Sequence, residues 1–166
     1  MGNACNGLIL IHDAPPFLLK QIGWSVSHTL GVEANLVWNP QPLVEQHFRS
    51  EFIWQGTGET GAELASTLAG WKCVSFEVTQ NACADISGSR WLHTPTLGIK
   101  HRTLDCVGNY LVGEDEIRSA LQRAGSNSLE LHREMQNLLA APWEEALEPL
   151  RLAAADSSVV WLFRAG

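Results

Sequence analysis

The densest run of reactive side chains is RWLHTPTLGIKH, from Arg90 to His101, which holds Arg90, His93, Lys100 and His101. An imidazole titrates near neutrality, so His93 could move a proton or hold a ligand. Arg90 or Lys100 could hold a carboxylate, and Thr94 adds a hydroxyl. His12 closes the apolar run GLILIHD, at a strand end where sites often gather. The candidate ligand-binding set is therefore Arg90, His93, Thr94 and His12. The bland alternative has His93 hydrogen-bonded locally and Thr94-Pro95 turning the chain. On a strand Arg90, Leu92 and Thr94 share one face and Trp91 and His93 the other.

A second motif is WQGTGETGAEL, where Gly56, Gly58 and Gly61 spell G-x-G-x-x-G between a strand and a helix. Glu77 stands at a tempting distance for a ribose hydroxyl. Three features oppose a dinucleotide. The preceding strand is half polar, Glu59 sits inside the turn where a pyrophosphate would lie, and Glu77 is mid-strand. Gly58, Thr60 and Gly61 remain a candidate anion site, because helix N-termini offer free N–H groups. The alternative is a flexible turn followed by a Thr60-x-x-Glu63 capping box.

Elsewhere the chemistry is thinner. Asp13 reads as a helix cap before it reads as a catalyst. Glu144 and Glu148 share one side of a helix beside Trp143, which fits a solvated or partner-facing surface better than an acid–base pair. His93, His101, Cys83, Asp85 and Cys106 have no metal-ligand spacing, so no metal and no cofactor is expected. Cys5, Cys73, Cys83 and Cys106 read as buried or incidental thiols rather than a disulfide framework. No nucleophile elbow is legible.

The elements that must carry these residues follow from periodicity. Gly7–Asp13 is a buried strand. Pro15-Pro16 opens a helix capped by Asp13, with Leu18, Ile22 and Val26 inward and Gly31 as its stop. Asn35–Asn39 is a strand broken by Pro40 and Pro42. Phe48, Ser50, Phe52 and Trp54 form one face of a third strand. Leu64, Leu68 and Trp71 line a second helix, and Val74, Phe76 and Val78 a fourth strand. This order predicts an α+β, ferredoxin-like split β-α-β antiparallel sheet over residues 1–86, whose second face, if it stayed open, would carry Arg49, Glu51, Ser75 and Glu77. Residues 87–166 form a strand and three-helix lobe packed on it. There Arg90–Thr94 and Asn109–Val112 are strands around a loop from Gly98 to Gly108. Three helices follow, with Ile117, Leu121 and Ala124, then Leu131, Met135 and Leu138, then Trp143, Leu147 and Leu150 inward. Pro149 is expected to kink or end the third, and Val159–Phe163 to be a last strand.

Composition sets the outer limits. The 166 residues are 45% hydrophobic, enough for a sizeable core. The net charge of -7, with three lysines, would be repelled by phosphate backbones, so no nucleic acid is expected. No basic amphipathic stretch or long apolar run suggests a membrane. The start, MGNACNG, lacks the basic flank and long apolar stretch of a signal peptide. Asn6 stands where a myristoylation pattern needs Ser or Thr, so a cytoplasmic location is expected. Seven tryptophans are spread along the chain as core anchors or contact points.

GLILIHDAPP, FEVTQ, RWLHTPTLG, VGEDEIR and WEEALEPLR, in this order, resemble the actinobacterial family known as domain of unknown function 3145. The resemblance implies a cytoplasmic bacterial protein and carries no catalytic residues onto this chain. The leading expectation is a non-enzymatic protein that binds a protein partner or itself. The alternative is a small-molecule binder or enzyme, built around Arg90, His93 and His12 or at the Gly56–Gly61 turn.

Overall fold

The computed structural model describes residues 4–164, with side-chain surroundings through residue 155. Among them are seven strands in one antiparallel sheet and five α-helices. The strands are β1 (Cys5–Ala14), β2 (Asn39–Pro40), β3 (Phe48–Gly56), β4 (Ser75–Gln80), β5 (Gly88–Thr94), β6 (Gly98–Leu104) and β7 (Tyr110–Leu111). The helices are α1 (Leu19–Leu30), α2 (Thr60–Ala69), α3 (Glu114–Ala124), α4 (Ser128–Leu138) and α5 (Ala141–Arg164). The sheet order is β2-β3-β1-β4-β5-β6-β7.

Strand alternation divides the side chains between two faces. Ile9 and Ile11 of β1, Trp54 of β3, and Phe76 and Val78 of β4 point to one face. There they meet Ile22 and Val26 of α1 and Leu64 and Leu68 of α2 in the larger core. On the other face Leu92 of β5 packs with Ala140 and Leu147, joined by Tyr110, Trp143 and Leu150. The sheet is thus a middle layer, and β4 is buried on both sides except at Thr79. The second face does not stay open at Glu77: α5 lies there.

Other local expectations change for identifiable reasons. Residues 35–38 are not a strand. Only Asn39–Pro40 pairs with β3, at the sheet edge where a proline without an N–H is tolerated. Leu36 and Trp38 still pack against the core. Asp13 does not cap α1. Pro15 leads into a 3-10 turn, Pro16–Leu18, and Asp13 bonds His47 instead. Gly31 ends α1 with a left-handed φ of 68°. Gly98–Leu104 is a strand rather than a loop, paired with all of β5. The turn before it is closed by Leu97 N–H on Thr94 Oγ1 at 3.1 Å. In α3 the buried residues are Ala120 and Ala124, while Ile117 and Leu121 are exposed. Asn127 caps α4, accepting from the N–H groups of Leu129 and Glu130.

Helix α5 runs through Pro149 and takes in 159–163, so VVWLF is helical rather than a strand. A short apolar run reads alike in either period, and the alanine-rich stretch before it favours helix. Cys5 and Cys83 are joined in a disulfide with Cα atoms 5.4 Å apart, which corrects the reading of four unpaired thiols. Cys73 and Cys106 are free and exposed. No helix among the described residues is long and apolar enough to cross a membrane.

Two glycine substitutions test this packing in opposite directions. A Cβ on Gly7 would collide with the Thr79 carbonyl and the Trp54 indole. Gly7→Ala is therefore expected to lower the unfolding free energy by about 3 kcal/mol. Gly23, inside α1, has open space around it, and Gly23→Ala should raise it by about 0.5–1 kcal/mol. Urea denaturation of both variants checks the pair.

Candidate functional site

Glu77 is the centre of the second face. It lies mid-strand in β4, 1% exposed, between Leu10 of β1 and Leu92 of β5. A carboxylate taken that far from water must be compensated. Two guanidiniums and the His12 imidazole do this. His12 meets Glu77 Oε2 through Nε2 at 2.5 Å. Arg151 of α5 donates from Nε to Oε2 at 2.9 Å and from Nη2 to Oε1 at 2.7 Å, a two-pronged contact. Arg90 of β5 donates from Nη2 to Oε1.

The register explains the meeting. Arg90 pairs with Thr79, so it sits diagonal to Glu77 on the same face, within reach of a long side chain. His12 follows Leu10 by one strand period at a β1 irregularity, and its carbonyl accepts from Gln41 Nε2 at 2.6 Å. On α5, Glu144, Glu148 and Arg151 recur at helical spacing and present one side.

Glu144 forms a second node. It accepts from Arg90 Nη1 at 2.8 Å, from Arg151 Nη1 at 2.7 Å and from the Tyr110 hydroxyl. Arg90 Nη1 also donates to Tyr110 Oη at 2.8 Å, and Arg151 Nη1 to Glu148 at 3.1 Å. Two carboxylates and two guanidiniums thus alternate, with His12 and Tyr110 at the ends.

The electrostatics follow this geometry. Burial alone would raise the Glu77 pKa. The hydrogen bonds from His12 and Arg151 and the charge of Arg90 more than offset it, and Glu77 is held well below the usual carboxylate range. Burial opposes the charge of Arg151, but its bonds to Glu77 and Glu144 raise its pKa. Tyr110 is pushed up by burial and by the adjacent Glu144, so its hydroxyl keeps its proton and donates.

The sequence candidates divide accordingly. Arg90 and His12 come together on Glu77. His93 lies on the opposite face, its ring stacked on Phe76 at 5.0 Å and its Nδ1–H donating to the Val74 carbonyl at 2.7 Å. Thr94 closes the β5–β6 turn. The Gly58–Thr60–Gly61 turn is occupied by the chain's own groups. Gln80 Oε1 accepts the Gly61 N–H at 3.0 Å, and Gln80 Nε2 donates to the Gly58 carbonyl at 2.9 Å. Thr60 Oγ1 accepts the Thr57 N–H at 2.9 Å, so the predicted Thr60–Glu63 capping box does not form. A Cβ on Gly61 would lie 2.6 Å from Gln80 Oε1, which accounts for that glycine by packing.

Sequence reasoning weighed Glu77 only as a ribose ligand and missed it as the hub, together with Arg151 and Tyr110. The available signal was a lone glutamate in the apolar strand SFEVTQ, facing a row that a later helix covers. Beside the network lies a cavity of about 400 Å³ between β1, β3 and α5, lined in part by His12, Arg49, Glu51 and Arg151. No group of three or more His, Cys, Asp or Glu among the described residues could hold a metal.

The hub is testable through stability. The folded pKa of Glu77 lies below its unfolded one, so its contribution is full above about pH 4.3 and is lost as pH falls toward the folded value. Glu77→Gln should cost about 3 kcal/mol at neutral pH, because it leaves two buried guanidiniums undercompensated. The gap between wild type and variant should narrow below about pH 4. Urea unfolding across pH reads both.

Among curated proteins none matches this chain, and no solved structure matches it. One family does, over residues 8–164, nearly the whole length. The chain belongs to the family described as protein of unknown function (DUF3145).

Proposed function

We propose that this protein acts by binding a protein partner, or a second copy of itself, and catalyses no reaction of its own. The carrying observation is an exposed aromatic pair at the first helix. Phe17 is 69% exposed and Trp24 70% exposed, seven residues and two helical turns apart. Isolated apolar residues on a surface are ordinary, but tryptophan and phenylalanine left this open on one helix side are the usual anchors of interfaces. Val32 and Val37, in the segment that follows α1, are also exposed. The charged network supports the same reading, because its cations and carboxylates are spent on one another.

In this reading the first four strands with α1 and α2 are a ferredoxin-like lobe. The order β2-β3-β1-β4, all antiparallel, supports it. The proposed setting is the cytoplasm of an actinobacterium, which rests on the composition and the family resemblance. The Cys5–Cys83 disulfide pulls the other way, since cytoplasmic thiols are usually kept reduced.

The test is a double variant, Phe17→Ser with Trp24→Ser. Both sites are on the surface, so the denaturation midpoint should barely move, by about 0.5 kcal/mol or less. Tagged wild type, purified from the cell that makes it, is expected to carry a stoichiometric partner or to weigh as a dimer by light scattering. The double variant should do neither. A bare monomer in both cases, or equal recovery of the partner, sinks the reading.

A further inference from the structure

The sheet face that carries α1 and α2 is only partly covered. The two helices lie over β3, β1 and β4, whereas Ile99 and His101 of β6 and Leu111 of β7 point to the same face and are exposed. His101 stands beside Trp91 and stacks on its indole at 4.9 Å. Between this bare floor and α2 run two adjoining hollows of about 730 and 390 Å³, which share Ala62, Ser66, Trp91 and His101. The α2 wall presents small side chains, Ala62, Ser66 and Ala69, which let another helix come close. Glu59 and Glu63 rim the larger hollow, and neither carboxylate has an ion-pair or hydrogen-bond partner among the described residues.

The complement to this groove is on the same chain. Opposite the buried Ile22 and Val26, the first helix carries an exposed stripe of Phe17, Lys20 and Trp24, spaced i, i+3, i+7. Lys20 makes no ion pair among the described residues, and α1 contains no Asp or Glu. Phe17 and Trp24 stand about 10 Å apart along the helix, and the groove followed along α2 from Glu59 to Ala69 is about 15 Å long. Two aromatic anchors with a lysine between them thus match two adjoining hollows rimmed by two unpaired carboxylates. Ile22 and Val26 pin α1 to its own core, so its outward stripe can enter only the groove of another molecule.

We infer that the α1 stripe of one copy docks in the groove beside α2 of a second copy, Phe17 and Trp24 filling the hollows over Trp91 and His101 and Lys20 pairing with Glu59 and Glu63. This inference rests on the reading of Phe17 and Trp24 as interface anchors and names what they bind. Stripe and groove are different surfaces, so the contact is made twice in a closed pair or repeats head to tail.

The experiment is sedimentation equilibrium of the full chain over a range of concentrations. Wild type is expected to associate. Lys20→Glu and, separately, Glu59→Lys with Glu63→Lys are each expected to weaken association by about tenfold or more, because like charges then meet. An equimolar mixture of the two variants should recover the wild-type mass, since the stripe of each now complements the groove of the other. Lys20, Glu59 and Glu63 are all exposed, so the fold should survive the changes. Should the lysine pair unfold α2, whose N-terminus favours acidic residues, Ser66→Arg blocks the groove from an exposed mid-helix site and carries the test with Lys20→Glu. A monomer at every concentration, association undiminished by Lys20→Glu or by Ser66→Arg, or a mixture of folded variants no heavier than its parts overturns the inference. A monomeric wild type that still captures a foreign protein through Phe17 and Trp24 overturns the self-docking alone. One that captures nothing overturns the interface reading as well.

Discussion

A single buried carboxylate dictates how the two halves of this chain lie on each other. Glu77 sits in the middle of a sheet strand, sealed from water. An isolated charge there would cost several kcal/mol or would give up its ionisation. It stays ionised because the sheet supplies His12 and Arg90 and the last helix supplies Arg151. Among the described residues the hydrophobic contacts on the α5 face are Leu92, Ala140 and Leu147 with a few half-buried neighbours. Apolar packing of that size tolerates sliding by a turn, whereas a forked guanidinium–carboxylate contact does not. The ion network therefore sets the helix's register, and the apolar cluster supplies the bulk of its adhesion.

The same arrangement makes the sheet asymmetric. On the α1–α2 face the core is continuous from Ile9 and Ile11 through Trp54 and Phe76, with His93 admitted only as a flat ring stacked on Phe76. On the α5 face polar and apolar rows alternate. Leu10, Glu77 and Leu92 stand side by side across three strands, and Arg90 crosses them diagonally. One face holds the fold together and the other holds the charges. The second face is accordingly where chemistry could be lodged.

Much of the first half was legible in the sequence, because its signals are local. A short apolar run located β1, alternation located β3 and β4, and Gly31 marked the end of α1 as a residue that accepts positive φ. The face assignment of β5 followed from its period alone, and it separates Arg90 from His93 correctly. The misreadings came where a distant partner decides. Asp13 looks like a cap until His47, far along the chain, bonds it. Thr60 looks like the start of a capping box until Thr57 and Gln80 take the groups involved. The hub was invisible because Glu77 and Arg151 are 74 residues apart, and nothing in either neighbourhood points to the other. Lys100, His101 and Arg102 disguised β6 as a loop, since three consecutive basic residues interrupt the apolar alternation of a strand.

The Cys5–Cys83 link joins the first residue of β1 to the segment just past β4, across 78 positions. It turns the first four strands and two helices into a closed covalent ring. Tension applied between the two ends of the chain would then bypass that ring through the sulfur bridge. Only the segment from Cys83 onward could extend, so β5, β6 and the helices would peel away while the larger core kept its shape. The oxidised protein is in that sense a mechanical fuse with one sacrificial half, and reduction of a single bond would expose the other half to the load.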